Sequence, residues 1–158
     1  NERQLQLMAL FQYMIGNADW DPLVGKNIKI IEKEGQVLAI PYDFDFSGLV
    51  NPPYGKGNTR YNLNSMVDRV YLGSADQLQT MIAFFQHKKS ELYAVLEDSH
   101  LLRDHSKSHV VDYLETEMST ALVSVFVFRA NRSILVATPS DHLLRSYIAL
   151  FVSPLEIR

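Results

Sequence analysis

Asp19, Asp21, Lys26, Asn27, Asp43 and Asp45 are the residues of this chain whose types and spacing could do chemistry together. Four carboxylates, a carboxamide and an ammonium group crowd into one short stretch. Hard oxygen ligands beside a cationic side chain suit a magnesium ion and the phosphate it neutralises. A carboxylate in the same group can take the proton of a hydroxyl. Nowhere else does the sequence suggest a reaction.

The segments between these residues must bring them together. Asn27–Lys33 alternates and is rich in isoleucine, with Ile28 and Ile30 on one face, and Gln36–Tyr42 reads as a partner strand. Glu34-Gly35 between them is a tight-turn signal, so an antiparallel hairpin is predicted. Folding it sets Asn27 beside the Asp43-Phe44-Asp45 run. Residues two apart on a strand face the same way, so Asp43 and Asp45 are expected to point together. Two like charges that close call for a cation or a basic group. An isolated Asp-x-Asp is ordinarily a solvated turn. Here the strand feeding it (Val37, Leu38, Ala39, Ile40) is apolar, and Asn17-Ala18-Asp19-Trp20-Asp21 with Lys26-Asn27 forms a second polar cluster across the hairpin. The carbonyl oxygen of an Asn at a strand start can ligate a metal while its amide fixes a neighbouring loop.

Composition narrows the classes. The chain has 158 residues, 47% hydrophobic and 21% charged, which suits one domain with a sizeable core. A net charge of −3 without any Lys/Arg run gives no reason to expect a nucleic acid partner. Cysteine is absent, which excludes disulfides and thiolate-bound metals. No leader-like stretch and no apolar run of spanning length is seen, so neither secretion nor a membrane partner is expected, and a cytoplasmic location fits. The chain opens on Asn1 and enters an apolar-periodic segment at once, so a piece of a longer protein is expected.

Gly16-Asn17-Ala18-Asp19 followed by Lys26-Asn27-Ile28-Lys29, and then Pro41-Tyr42-Asp43-Phe44-Asp45, resembles the protein-kinase-like fold. The likeness is to its atypical members, the HipA-like and CotH-like kinases and the lipid-kinase relatives. They share the order of a catalytic-loop Asp, a metal-binding Asn, a strand pair and a metal-binding Asp. The resemblance covers about residues 1–115 and implies an α+β fragment: a mainly helical C-terminal lobe with a small antiparallel hairpin. It implies Mg2+ and ATP as cofactors and a hydroxyl-bearing acceptor as partner. Asp19 or Asp21 would be the catalytic base, Lys26 and Asn27 would meet the nucleotide, and Asn27 with Asp43 or Asp45 would hold the metal. Asn27 follows Asp19 by eight residues and Asp21 by six, where the family's pattern has five. A Gly-rich phosphate loop and a strand Lys paired with a helix Glu are not found in the sequence, so weak nucleotide binding is expected of these residues alone. The other two readings are a non-catalytic interaction domain presenting the helices near 75–117, and a metal-dependent hydrolase using Asp43 and Asp45.

Further elements frame the site. Residues 2–15 are predicted as an amphipathic helix with Leu5, Met8, Phe11, Gln12 and Ile15 on its stripe, capped at Gly16-Asn17. Residues 47–64 are a long loop and 65–73 a short helix ending at Gly73. Ser74 opens a strong helix to about Glu97, with Leu78, Met81, Ile82, Phe85, Leu92 and Leu96 inward. A helix near 105–117 carries Val110, Val111 and Leu114. His105 and His109 lack the Glu of a His-Glu-x-x-His motif and read as surface residues, as do Lys88 and Lys89. Residues 118–158 are an unassigned apolar segment, with runs at 122–128 and 133–137 and a helix at 141–152, expected to pack on the same domain.

Overall fold

The computed structural model describes residues 2–74 and 78–118. The readings made above for residues 119–158 lie outside the described residues, as does the start of the helix opened by Ser74, at 75–77. Helix α1 (Glu2–Met14) leads to a loop, then to strands β1 (Ile28–Lys33) and β2 (Gln36–Pro41). A long irregular stretch with one 3-10 turn (Thr59–Tyr61) follows, and then helices α2 (Leu78–Glu97) and α3 (Asp104–Met118). The fold is α+β and mainly helical, with one two-stranded antiparallel sheet.

Contrary to the sequence pattern, α1 is not amphipathic: Gln4 and every residue from Gln6 to Met14 is buried. It is the central helix, with α2 and α3 packed on one side and the hairpin on another. One cluster joins Leu7, Leu10, Phe11 and Met14 to Phe85, Leu92 and Leu114. A second joins Met8 and Ala9 to Trp20, Ile28 and Ala39. The buried glutamines of α1 bond other segments of the chain, although the Gln12 Nε2 is buried without a partner among the described residues. Gln4 donates through Nε2 to Ala39 O at 2.6 Å and accepts from Ala39 N at 2.8 Å. Gln6 accepts from the Tyr71 hydroxyl at 3.0 Å, and Gln12 accepts from Asn17 Nδ2 at 3.0 Å.

The C-terminus of α1 closes as expected. Gly16 sits at φ 66°, its N–H reaches Tyr13 O at 3.0 Å, and the Asn17 N–H reaches Gln12 O at 2.8 Å. These are the paired bonds of a Schellman cap. No side chain fits at Gly16, because an added Cβ would come 2.1 Å from the Tyr113 hydroxyl.

The hairpin register pairs Ile28 with Pro41 and Lys33 with Gln36. Glu34 and Gly35 turn it at φ 54° and 72°, the two left-handed residues of a type I′ turn. The expected inward face of β1 is absent: Ile28 is its one buried residue, whereas β2 buries Leu38, Ala39 and Pro41. Ala39 is 4% exposed, whereas its cross-strand partner Ile30 is 62% exposed. The hairpin is held against α1 through Ile28 and the middle of β2, where Ala39 meets Gln4.

All six residues predicted to line α2 are buried. Val110 and Leu114 of α3 are buried and Val111 is half-buried against the same cluster. Residues 65–73 do not form the predicted helix; they are turns and extended chain. Asp68 caps this stretch by accepting from the N–H groups of Asn64 and Ser65 at 2.7 and 3.0 Å. Arg69 then leaves it to stack over the Tyr113 ring, 3.8 Å from its centroid. Tertiary anchoring of Arg69 outweighs a weak local preference. Lys88 and Lys89 are not simply solvated: they pair with Glu91 at 2.8 Å and Glu115 at 2.7 Å. His105 and His109 are exposed, as expected.

Candidate functional site

The polar cluster assembles where three chain segments meet at the open end of the hairpin. The first is the loop after α1. Asn17 is almost fully buried and its Oδ1 accepts from the Asp19 N–H at 2.8 Å, an Asx turn that fixes how Asp19 leaves the helix. Asp19 keeps 31% side-chain exposure and is ion-paired through Oδ1 with the Lys26 ammonium.

The second segment enters β1. Asn27 stands just before the strand at φ 55°, a left-handed position that Asn tolerates better than most residues. Its Nδ2 donates to Asp19 O at 2.7 Å and to Asp19 Oδ2 at 3.1 Å. Its main-chain O accepts from the Tyr42 N–H at 3.1 Å. Thus Asn27 ties the Asp19 loop to the exit of β2 and turns its carboxamide nitrogen, not its oxygen, toward Asp19.

The third segment leaves β2. Asp43 and Asp45 do not share a strand face as predicted, because β2 ends at Pro41 and Asp43 adopts φ 61°. The two carboxyls meet nonetheless. The Asp43 carboxyl is pushed above the ordinary carboxylate range, first by its hydrogen bond with Asp45, then by burial and the negative charges of Asp45 and Asp19. Phe44 between them packs edge-on against Phe11 of α1, with ring centroids 6.0 Å apart. The following residues are stitched to the helix end by Gly48 N–H to Gly16 O and Leu49 N–H to Ile15 O, both 3.0 Å. Left-handed residues at both Asn27 and Asp43 place local strain at the cluster, where such strain is commonly functional.

Asp21 is built differently. It is 7% exposed, with one oxygen taken by the Leu23 N–H at 2.9 Å and the other by Arg60 Nη1 at 2.8 Å. Arg60, and next the Leu23 N–H, hold its carboxyl below the ordinary range. Its main chain exchanges bonds with Lys26 at 3.1 and 3.0 Å, closing the loop at its base. Asp21 shapes the loop, while Asp19 and Lys26 present polar atoms outward.

Asn58 and Arg60 escaped the sequence reading, which placed Asn17 in the second polar cluster. Asn58 donates to Ala18 O at 2.9 Å, so Asn58 and Arg60 both clamp the stretch 55–68 onto the Asp19 loop. Only Asn17, two residues before an Asp, carried a local sign of its part. Among the described residues no three His, Asp or Glu side chains form a ready metal cage. The donor set that Asn27, Asp43 and Asp45 offer is a carboxamide oxygen and two carboxylates. Those hard oxygens fit magnesium, which takes one or two protein carboxylates and completes its shell with phosphate and water. The raised Asp43 carboxyl is the kind of site a cation would relieve.

Neither a family model, nor a curated protein, nor a solved structure matches this chain. Among the described residues no helix is long and apolar enough to cross a membrane.

Proposed function

We propose that this chain carries the catalytic-loop half of an ATP- and magnesium-dependent phosphotransferase of the kinase-like kind. The observation that supports this most is the double bond of the Asn27 carboxamide to Asp19, at 2.7 and 3.1 Å, made beside the Asp43–Asp45 carboxyl pair. One hairpin end thereby presents a proton acceptor and a set of metal ligands side by side. Asp19 is the base and Asp21 its scaffold. Asn27 Oδ1, Asp43 and Asp45 would hold the magnesium, and Lys26 would neutralise phosphate charge. Magnesium, when bound with the nucleotide, supplies charge neutralisation at the phosphates. Asp19 accepts the acceptor's hydroxyl proton as that oxygen bonds to the γ-phosphorus and ADP departs with the bridging oxygen. Positioning and electrostatics carry the reaction.

Manganese titrated with ATP into the labelled chain, followed by NMR, tests this. Paramagnetic broadening at Asn27 and Asp43 that disappears in a folded Asp43→Asn variant is expected. No broadening there, or broadening that survives the substitution, overturns the reading.

A second reading, a non-catalytic interaction domain, is favoured by the exposure of Leu23 at 80%, Val24 at 77% and Ile30 at 62%. These lie on the loop and hairpin, not on the helices near 75–117 first expected to form such a surface. A failed manganese test moves the weight to this reading.

A further inference from the structure

A cleft of about 330 Å³ opens beside Asp19 and Lys26, walled on its far side by the stretch 55–68. Asn27, Asp43 and Asp45 do not line it. The proton acceptor therefore faces the cleft while the metal-binding carboxylates do not, which divides the site into two sides. We propose that the cleft receives the phosphate acceptor, and that the acceptor is a small hydroxyl-bearing anion; this rests on the phosphotransferase reading above.

Size argues for a small molecule. The volume lies at the lower end of the range for small-molecule pockets, about 300–1,000 Å³, whereas a protein partner would be met over a broad surface. The charges argue for an anion. Three cations line the cleft: Lys26, Lys56 and Arg60. Lys26 is engaged by Asp19, and Arg60 gives one N–H to Asp21 while its side chain stays 64% exposed. Lys56 is exposed and has no hydrogen-bond or ion-pair partner among the described residues. The one other carboxylate on the wall, Asp68, is bonded by the N–H groups of Asn64 and Ser65. An anion entering the cleft thus meets an uncompensated ammonium at Lys56, with the rings of Phe46 and Tyr61 on its walls.

The wall is a built structure. A side chain at Gly57 would strike Leu63 O at 2.3 Å and Ser65 N at 2.5 Å, so the loop folds tightly back on itself there. Asn58 and Arg60 lock it to Ala18 and Asp21, one residue before Asp19 and two after it. The main chain that carries Lys56 is thereby anchored beside the Asp19 loop.

The test uses glycerol 3-phosphate, glycerate and glycerol as probes, titrated without nucleotide into the labelled chain and its Lys56→Gln variant. The expected result is that at least one anion shifts the amides of Gly57, Asn58 and Ser65, that glycerol does not, and that Lys56→Gln weakens the binding about fivefold, the order of one exposed ion pair. Which anion binds tells phosphate from carboxylate recognition. Binding by none of the anions, equal binding of glycerol, or anion binding indifferent to Lys56→Gln overturns the proposal. The manganese measurement reads Asp43 and this one reads Lys56, so the two can fail separately. Manganese broadening without anion binding removes only the acceptor assignment. Anion binding without manganese broadening leaves an anion pocket that serves no phosphotransfer, and it overturns the acceptor role.

Discussion

The carboxamide nitrogen of Asn27 reaches both the main-chain oxygen of Asp19, at 2.7 Å, and its side-chain Oδ2, at 3.1 Å. One side chain thus fixes the path of a loop and the direction of its carboxylate. Asn27→Asp replaces the donor with a charge facing two oxygens. It should cost about 1–3 kcal/mol, read by urea denaturation. Asn27→Gly keeps the left-handed backbone and should cost less, because it loses the bonds without adding repulsion. Equal stability of Asn27→Asp and wild type would show that this clamp is not formed.

The Arg60–Asp21 pair makes a pH prediction. The Asp21 carboxyl is held below its ordinary value, first by Arg60. A depressed acid stabilises the fold above the unfolded value, and that stability is lost as pH falls through the folded value. Wild type should therefore exceed Arg60→Gln in thermal midpoint at neutral pH. The gap should narrow between about pH 4 and about pH 2. A gap independent of pH would assign the effect of Arg60 to packing alone.

For Asp43 the sign reverses. Its carboxyl is raised, first by its bond with Asp45, so the folded state holds the proton more tightly and loses stability as pH rises through the interval. Asp45→Asn removes the second charge. The variant should melt higher than wild type at about pH 7, and the difference should vanish near about pH 3. A variant no more stable at neutral pH refutes the repulsion argument.

Gly48 supplies a steric test. A Cβ there would lie 2.2 Å from the Tyr113 hydroxyl and 2.6 Å from Met66 O. Gly48→Ala should cost about 1–3 kcal/mol, the usual penalty of overpacking. Tyr113→Phe in the same chain should recover part of that loss, and a double-mutant cycle measures the coupling. Strict additivity would place the Ala methyl away from Tyr113.

Local chemistry made much of this legible. Glu34-Gly35 marked the turn, Gly16-Asn17 marked the cap, and the apolar spacing of 78–96 marked the buried side of α2. What escaped depends on contacts between distant residues. Gln4, Gln6 and Gln12 look like the polar face of an amphipathic helix until their partners at Ala39, Tyr71 and Asn17 are known. Arg69 sits in a stretch that reads as helix, yet a tyrosine far along the chain claims it. The Asp43–Asp45 encounter was anticipated for the wrong geometric reason, since strand alternation stops at Pro41 and a left-handed turn brings the carboxyls together instead.

The Gln4–Ala39 pair acts as a parity check on the hairpin. Alternate residues of β2 turn their peptide groups toward β1, and Ala39 is one of those that turn away. A slip by one residue would offer Gln4 the neighbours Leu38 or Ile40, whose peptide groups point toward β1. A slip by two toward Pro41 would offer a residue with no N–H at all. The Glu34-Gly35 turn sets the alignment, and a carboxamide 35 residues earlier in the chain reinforces it. The bond from the Tyr42 N–H to Asn27 O at 3.1 Å, beside Asp43, belongs to that same alignment.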